Sequence, residues 1–270
     1  MAAVASTMSV TDPAHDKVTL SVVSHGQGHL ISMLFQDIEK HCGSSVEVTL
    51  TLNLPEALPF DPSAMPFKVR IIENQQPRGF GDNHNAAFAS GCAGFFCVIN
   101  PDIRLQDNPF PTLVEVLGNP LVGVVAPLIL DPQKTVADSA RKFPTVYSIL
   151  GKIFRKKTVP DYVISDQLLF PDWVAGMFML FRRDVFDELH GFDKNYFLYY
   201  EDVDLCDRLR LAGYLTALCP RVAAIHDAQH TSHRNFRYLR WHLGSMMRFF
   251  ILSTFRKVSP GKRQIHPADQ

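Results

Sequence analysis

The run Phe95-Phe96-Cys97-Val98-Ile99 is apolar at every position and is closed by Asn100-Pro101-Asp102. A strand with one wet face alternates polar and apolar residues, so an unbroken apolar run predicts a strand covered on both faces. Such strands belong to layered folds with helices on either side of a sheet. Pro101 has no N–H to give to a ladder, so it ends the strand and leaves Asp102 in a turn. Open α/β sheets gather their ligands at that C-terminal end. A carboxylate there suits a hard divalent cation that neutralises a pyrophosphate. An Asp that only caps the next turn is the alternative, and this residue alone does not separate the two.

The segments before that run repeat a strand–helix rhythm. Val18 to Val23 is β-rich and apolar and stops at Ser24-His25-Gly26, a turn signal. Leu30, Met33, Leu34 and Ile38 then recur at helical spacing, with Gly43 closing the segment. Val46 to Leu52 alternates as a second strand and Lys68 to Ile72 is a third, followed by a helix from near Asp82. This pitch predicts βαβ units and a mostly parallel sheet.

The second half is different in kind. Val122 to Leu130 is strand-like, whereas 131–172 is irregular, with a basic stretch at Lys152, Arg155, Lys156 and Lys157. Trp173 to Phe181 is apolar again, Arg182 to Leu189 reads as a helix stopped by Gly191, and 202–212 reads as a helix stopped by Gly213.

Composition narrows the function classes. Of 270 residues, 46% are hydrophobic and 20% charged, which excludes a disordered chain. Lys plus Arg and Asp plus Glu both number 27, and a net charge of zero argues against nucleic acid as a partner. Five cysteines in apolar surroundings, with no C-x-x-C pair, read as reduced buried thiols in a cytoplasmic protein. Residues 1–17 carry no signal-peptide pattern, and the apolar run 121–130 is broken by Gly123 and Pro127 and too short to span a bilayer.

Four further motifs bear on chemistry. In Tyr199-Tyr200-Glu201-Asp202-Val203-Asp204 the carboxylates crowd together beside aromatic walls, an arrangement that raises one pKa toward that of a general base. Helix N-capping by Asp202 is the competing role, and Asp204 with Arg208 at i,i+4 reads as a surface ion pair. Gly79-Phe80-Gly81 partly fits a dinucleotide fingerprint, but His84 occupies the third glycine position, which leaves an oxidoreductase as a weak rival. His226, His230 and His233 suggest metal, yet no H-E-x-x-H is present to support a zinc hydrolase. Finally, eight Arg or Lys residues and no acid lie between Asp227 and Asp269, interleaved with Trp241, Met246, Met247 and Phe249 to Leu252. That pattern reads either as a peripheral membrane-surface helix or as a helix packing its apolar side on the domain with solvated arginines.

In order and spacing these motifs resemble the inverting family 2 glycosyltransferases of the GT-A fold, in their rhamnosyltransferase-like branch. The markers are Leu20 to His25, Asn74…Gly79-Phe80-Gly81…Asn85, Asn100-Pro101-Asp102 and Gly191-Phe192-Asp193…Glu201-Asp202-Val203-Asp204-Leu205-Cys206. The resemblance implies an α/β fold, a mixed sheet flanked by helices with a C-terminal helical extension. It divides the chain into a tail over 1–17, a transferase domain over 18–230 (18–105 for the nucleotide sugar, 106–230 for the acceptor) and a basic helix and tail over 231–270.

The same resemblance implies roles. Asp102 ligates Mg²⁺ or Mn²⁺ on the donor diphosphate, and His226 completes the metal site. Asp202 is the base, with Glu201 the alternative. Ser24, His25, Asn74, Gly79, Phe80, Asn85 and Asn100 line the donor side, and Trp173, Gly176 and Tyr200 the acceptor side. Where the family carries an acid for the nucleotide base this chain reads Leu52-Asn53-Leu54-Pro55-Glu56, so Asn53 or Glu56 stands in. The implied donor is dTDP-L-rhamnose and the implied acceptor a cell-surface glycan or lipid-linked saccharide. A non-catalytic nucleotide-sugar or glycan binding module of the same fold is the rival.

Overall fold

A computed structural model describes residues 17–145, 147, 160–227 and 236–256. The expected N-terminal tail apart from Lys17, the basic stretch Lys152 to Lys157, and His230 and His233 lie outside these residues.

The first half follows the expected rhythm. Strand β1 (Val18–Ser24) leads into α1 (Gly28–His41), β2 (Val46–Leu52), β3 (Lys68–Glu73), α2 (Phe80–Ser90) and β4 (Phe95–Ile99). β1 pairs in parallel with both β2 and β4, and β2 pairs in parallel with β3. The rest supplies β5 (Ile103–Leu105), α3 (Phe110–Leu117), β6 (Val122–Leu130), β7 (Ala140–Arg141), β8 (Trp173–Val174), β9 (Phe178–Arg182), α4 (Arg183–Glu188), α5 (Glu201–Leu211), β10 (Leu215–His226) and α6 (Phe236–Phe255). The main sheet has the order β3-β2-β1-β4-β9-β6-β10-β5, and β7 pairs with β8 in a two-stranded sheet of their own.

The sheet is mixed because β9 enters antiparallel between β4 and β6, and β5 runs antiparallel to β10. The apolar stretch 173–181 is therefore two short strands in different sheets. β4 is buried along Phe96 to Ile99, as its unbroken apolar run requires. β2 departs from its alternating pattern. Thr49 and Thr51 are fully buried along with Val48 and Leu50, because α2 covers the face that alternation would leave wet. The Thr49 hydroxyl lies 3.4 Å from that of Ser90, the last residue of α2.

Two helix starts differ from the sequence reading. α2 begins at Phe80 and not near Asp82, because the Phe80 N–H donates to the Phe197 carbonyl at 2.9 Å and fixes the first turn. The glycines there serve packing. A Cβ on Gly79 would fall 2.8 Å from the Phe197 carbonyl oxygen, and one on Gly81 2.5 Å from the Phe192 Cβ. α5 begins at Glu201 with Tyr200 at its N-cap, so Asp202 sits inside the first turn and is not the cap residue.

Asp204 is a correction of greater consequence. Its carboxylate is fully buried, not at the surface. It accepts from Arg208 Nε at 2.8 Å, from the Tyr196 hydroxyl at 3.2 Å and from the Arg256 guanidinium. Arg208 also donates to the carbonyls of Leu189 and Gly191, binding α5 to the end of α4. His190 and Gly191 both adopt positive φ there, and Asn85 of α2 closes the junction by exchanging two hydrogen bonds with the Phe192 backbone. Four of the five cysteines are buried as expected, and Cys92 is exposed.

Removing one member of a buried ion network strands the others without a partner. Asp204→Ala is expected to lower stability by about 3–5 kcal/mol, read as a reduced urea midpoint with an unchanged slope.

Candidate active site

The C-terminal ends of β1, β2 and β3 come together around Asn53. Its backbone N–H donates to Ser24 O, and its side-chain amide donates to His25 Nε2 at 2.7 Å and to the Arg78 carbonyl at 2.9 Å. Its Oδ1 accepts from Asn74 Nδ2 and the Arg78 N–H. An amide has two donors and two acceptor sites. All four are used, and Asn53 is fully buried, so it shapes the loop at Arg78 and does not stand free for a nucleotide base. Glu56 is likewise engaged. It accepts from the Ser24 hydroxyl and from the N–H groups of Gly26 and Gly28, supplying the acid that the first turn of α1 lacks. Asn85, bonded on both sides to Phe192, is a brace between α2 and the 191–197 segment. His25 stands exposed at the exit of β1.

Asn83, which the motif reading passed over, belongs to the same network. It accepts from Asn74 Nδ2 at 2.7 Å and donates to the Arg78 and Gly79 carbonyls. The buried His84 ring lies 2.7 Å from the Ser21 hydroxyl and packs edge-on to Phe80. Burial depresses its pKa to about 3, so it is a neutral core residue.

Asp102 lies in the turn between β4 and β5. The β10–β5 pairing sets His226 opposite Ile103, which brings its Nε2 within 3.2 Å of Asp102 Oδ2. Asp102 Oδ1 is buried and has no hydrogen-bond partner. Burial of an unpartnered carboxylate oxygen is costly, so the corner is incomplete by itself. Among the described residues no group of three or more His, Cys, Asp or Glu is arranged to hold a metal ion.

The second cluster surrounds a cavity of about 650 Å³ lined by Arg141, Lys142, Phe143, Trp173, Tyr199, Tyr200, Glu201, Asp202, His242 and Met246 among others. Tyr199 and Tyr200 both hold left-handed backbone, φ 70° and 68°. Strain of this kind costs of order 1–3 kcal/mol per residue and persists only where packing enforces it. Here the two rings pack on His242 of α6, and Tyr200 also on Phe249. The hook delivers Glu201 and Asp202 at the cavity.

These two carboxylates have unequal surroundings. Burial raises the pKa of both, and Asp202 raises that of Glu201 further by repulsion. Asp202 Oδ2 accepts the Gly176 N–H at 3.0 Å and Oδ1 the Val203 N–H at 2.8 Å, which offsets part of the effect of its burial. Glu201 Oε2 is buried without a partner. The arrangement favours an ionised Asp202 beside a protonated Glu201.

One short segment joins the two clusters. The Gly176 N–H meets Asp202, and the Met177 carbonyl accepts the Asn100 N–H at 2.9 Å. The Phe80 ring of α2 packs over Gly176. Trp173 donates its indole N–H to the Lys142 carbonyl and stacks under Arg141.

The family model for glycosyl transferase family 21 matches residues 94–257, from the start of β4 through α6. The chain belongs to glycosyl transferase family 21. Rhamnosyltransferase WbbL of Escherichia coli strain K12 is 35% identical over 185 residues, which cover 63% of this chain and 69% of that protein. The N-acetylglucosaminyl-diphospho-decaprenol L-rhamnosyltransferase of Mycobacterium tuberculosis is 30% identical over 188 residues, 62% of this chain and 61% of that protein. The mannosyltransferase PcManGT from Pyrobaculum calidifontis, solved with GDP-Man and Mn²⁺, superposes with a TM-score of 0.63 at 16% identity, covering 92% of this chain and 67% of that one. GalNAc-T7 with UDP, GalNAc and Mn²⁺ gives 0.62 at 13% identity, over 81% of this chain and 44% of that one. The fold is thus the GT-A fold, and the chain is a rhamnosyltransferase-like glycosyltransferase of that type. The family model continues past the last motif marker, Cys206, to include α6.

The raised pKa of Glu201 makes a linked prediction. An acid whose proton is held more tightly in the folded state contributes nothing below its unfolded pKa and costs stability as pH rises above it. Glu201→Gln keeps the shape without the titration. The variant is expected to gain stability relative to the parent as pH rises above the ordinary carboxylate range, measured as the difference in urea midpoints.

Proposed function

We propose that this family 21 glycosyltransferase transfers a sugar with inversion from a nucleotide-sugar donor to a hydroxyl of a cell-surface glycan or lipid-linked saccharide. The observation that carries this reading is the Gly176-Met177 segment, bonded on one side to the Asp202 carboxylate and on the other to the Asn100-Pro101-Asp102 turn. A base for the acceptor and a carboxylate for the donor diphosphate thereby flank a single piece of backbone. We assign 18–105 to the donor and 106–230 to the acceptor.

An inverting transfer is one displacement at the anomeric carbon. Asp202 accepts the acceptor hydroxyl proton as the oxygen forms its bond to that carbon, and the nucleoside diphosphate departs with the electron pair. Protonated Glu201 does not compete as a base and orients a hydroxyl in the cavity by hydrogen bonding. Trp173, Gly176 and Tyr200 form the acceptor side. His25, Asn100 and the loop shaped by Asn53, Asn74, Gly79 and Phe80 form the donor side, with Ser24, Glu56 and Asn85 holding it in shape.

The Asp102–His226 corner fits Mg²⁺ or Mn²⁺. It offers a hard oxygen with no partner and an imidazole, and these two side chains would hold the ion. When bound, such an ion neutralises charge on the leaving diphosphate. L-Rhamnose is the sugar we assign, on the rhamnosyltransferase names of the relatives at 35% and 30% identity, and dTDP is its carrier as the motif resemblance implies. The mycobacterial relative's name, with its diphospho-decaprenol acceptor, supports a lipid-linked saccharide here.

Asp202→Asn should cut transfer by about 10²–10⁴-fold while leaving the nucleotide-induced rise in melting temperature intact. Asp102→Asn should abolish the part of that rise that needs Mg²⁺ or Mn²⁺. Full transfer by both variants would overturn the assignment, and donor binding without any product from the parent would identify a binding module instead.

A further inference from the structure

We propose that the outward face of α6 is a docking surface for an anionic lipid bilayer. A surface helix ordinarily turns its apolar stripe to the core and its charges to water; α6 does bury Phe249, but it also turns Arg248, and Arg256 just past its end, inward and leaves a second apolar stripe outward. Arg248 pairs with Asp193 at 2.6 Å, and Arg256 pairs with Asp204 and Asp207, both pointing inward. Phe249 and Ser245 are buried on the same side, and Trp241 stacks on Phe197 at 4.5 Å. These contacts fix the rotation of the helix.

The face left outward holds Phe236, Leu239, Leu243, Met247, Ile251 and Phe255, between 46% and 89% exposed. At 100° per residue they share one arc with Arg237 and Arg240. The sequence has no Asp or Glu from 228 to 268, and Arg234, Lys257, Lys262 and Arg263 flank the helix in it. An apolar face set among basic residues and free of acids matches the interface of an anionic membrane, where acyl chains take the apolar side chains and headgroups the cations. A second copy packed face to face would bring the same arginines together without a counter-charge. With Arg237, Arg240 and Arg248 along its length, α6 lies on the surface, and no described helix is long and apolar enough to cross a membrane.

The placement has a consequence for the cavity. His242 and Met246, on the flank of α6 beside this arc, line the cavity that holds Glu201 and Asp202. Docking by the outward face sets that cavity at the headgroup level. The docking rests on the helix alone, whereas its use in presenting a lipid-linked acceptor rests on the transferase reading above.

The test is flotation of the full chain with phosphatidylcholine vesicles, with and without phosphatidylglycerol. The chain should float with the anionic vesicles and much less with the neutral ones. The Leu243→Glu, Ile251→Glu double variant should partition about tenfold less or weaker, with its melting temperature and nucleotide-induced shift unchanged. No flotation with anionic vesicles, or equal flotation of parent and double variant, overturns the proposal. A dimer by light scattering that the double variant dissolves, without vesicle binding, also overturns it and gives the face to a second copy. A chain that floats but shows no nucleotide-induced shift keeps the docking and removes the transferase reading.

Discussion

The buried carboxylate of Asp204 ties together the segments that make the site. Through Arg208 it reaches the turn at Leu189 and Gly191, through Tyr196 the stretch that leads to the two strained tyrosines, and through Arg256 the end of α6. Asn85 extends the chain of bonds from Phe192 into α2. A buried charge is stable only when fully paired, so these segments cannot shift independently without exposing an unpaired ion. The first turn of α5, with Glu201 and Asp202, is thereby held at the cavity floor.

That rigidity lets environment, and not residue type, separate the two adjacent acids. Asp202 faces two backbone N–H groups whose positions depend on Gly176 and on the helix start. Glu201, one residue earlier, is buried with an oxygen that meets no donor. The helix N-terminus favours the charged form of both, but Asp202 has both oxygens bonded to backbone N–H groups while Glu201 keeps one buried oxygen without a partner. Division of labour between neighbouring carboxylates is a common outcome when burial and hydrogen bonding pull in different directions. The Asp102–His226 corner follows another route to the same end, since strand pairing brings together residues 124 positions apart in sequence.

Much of this was legible in advance. The apolar run of β4 and its arrest at Pro101 located Asp102, and the crowding at 199–204 located the raised carboxylates. The strand–helix rhythm gave the parallel part of the sheet. What patterns of polarity could not reveal was how polar side chains spend their hydrogen bonds. Asn53, Glu56 and Asn85 looked like ligands because amides and carboxylates near a ligand edge often are. Each is used within the protein, on Arg78, on the start of α1 and on Phe192. Gly79 and Gly81 partly fit a dinucleotide fingerprint, while their missing Cβ atoms instead admit Phe197 and Phe192.

The sequence by itself determined the strands and helices of the first half and the ends where Asp102, Glu201 and Asp202 stand, because these follow from local periodicity and turn chemistry. Only the tertiary structure decided which way each charge points. Asp204 and Arg208 read as a surface pair, and the basic C-terminal helix as either a membrane-surface helix or one with solvated arginines, whereas Asp204 is buried and Arg248 and Arg256 turn inward while Arg237 and Arg240 stay exposed. The partners that decide this, Tyr196, Asp193 and the acids of α5, are close in space and distant along the chain or unmarked by spacing. An ion is drawn inward only where an opposite charge already waits there, and that pairing is a property of the folded whole.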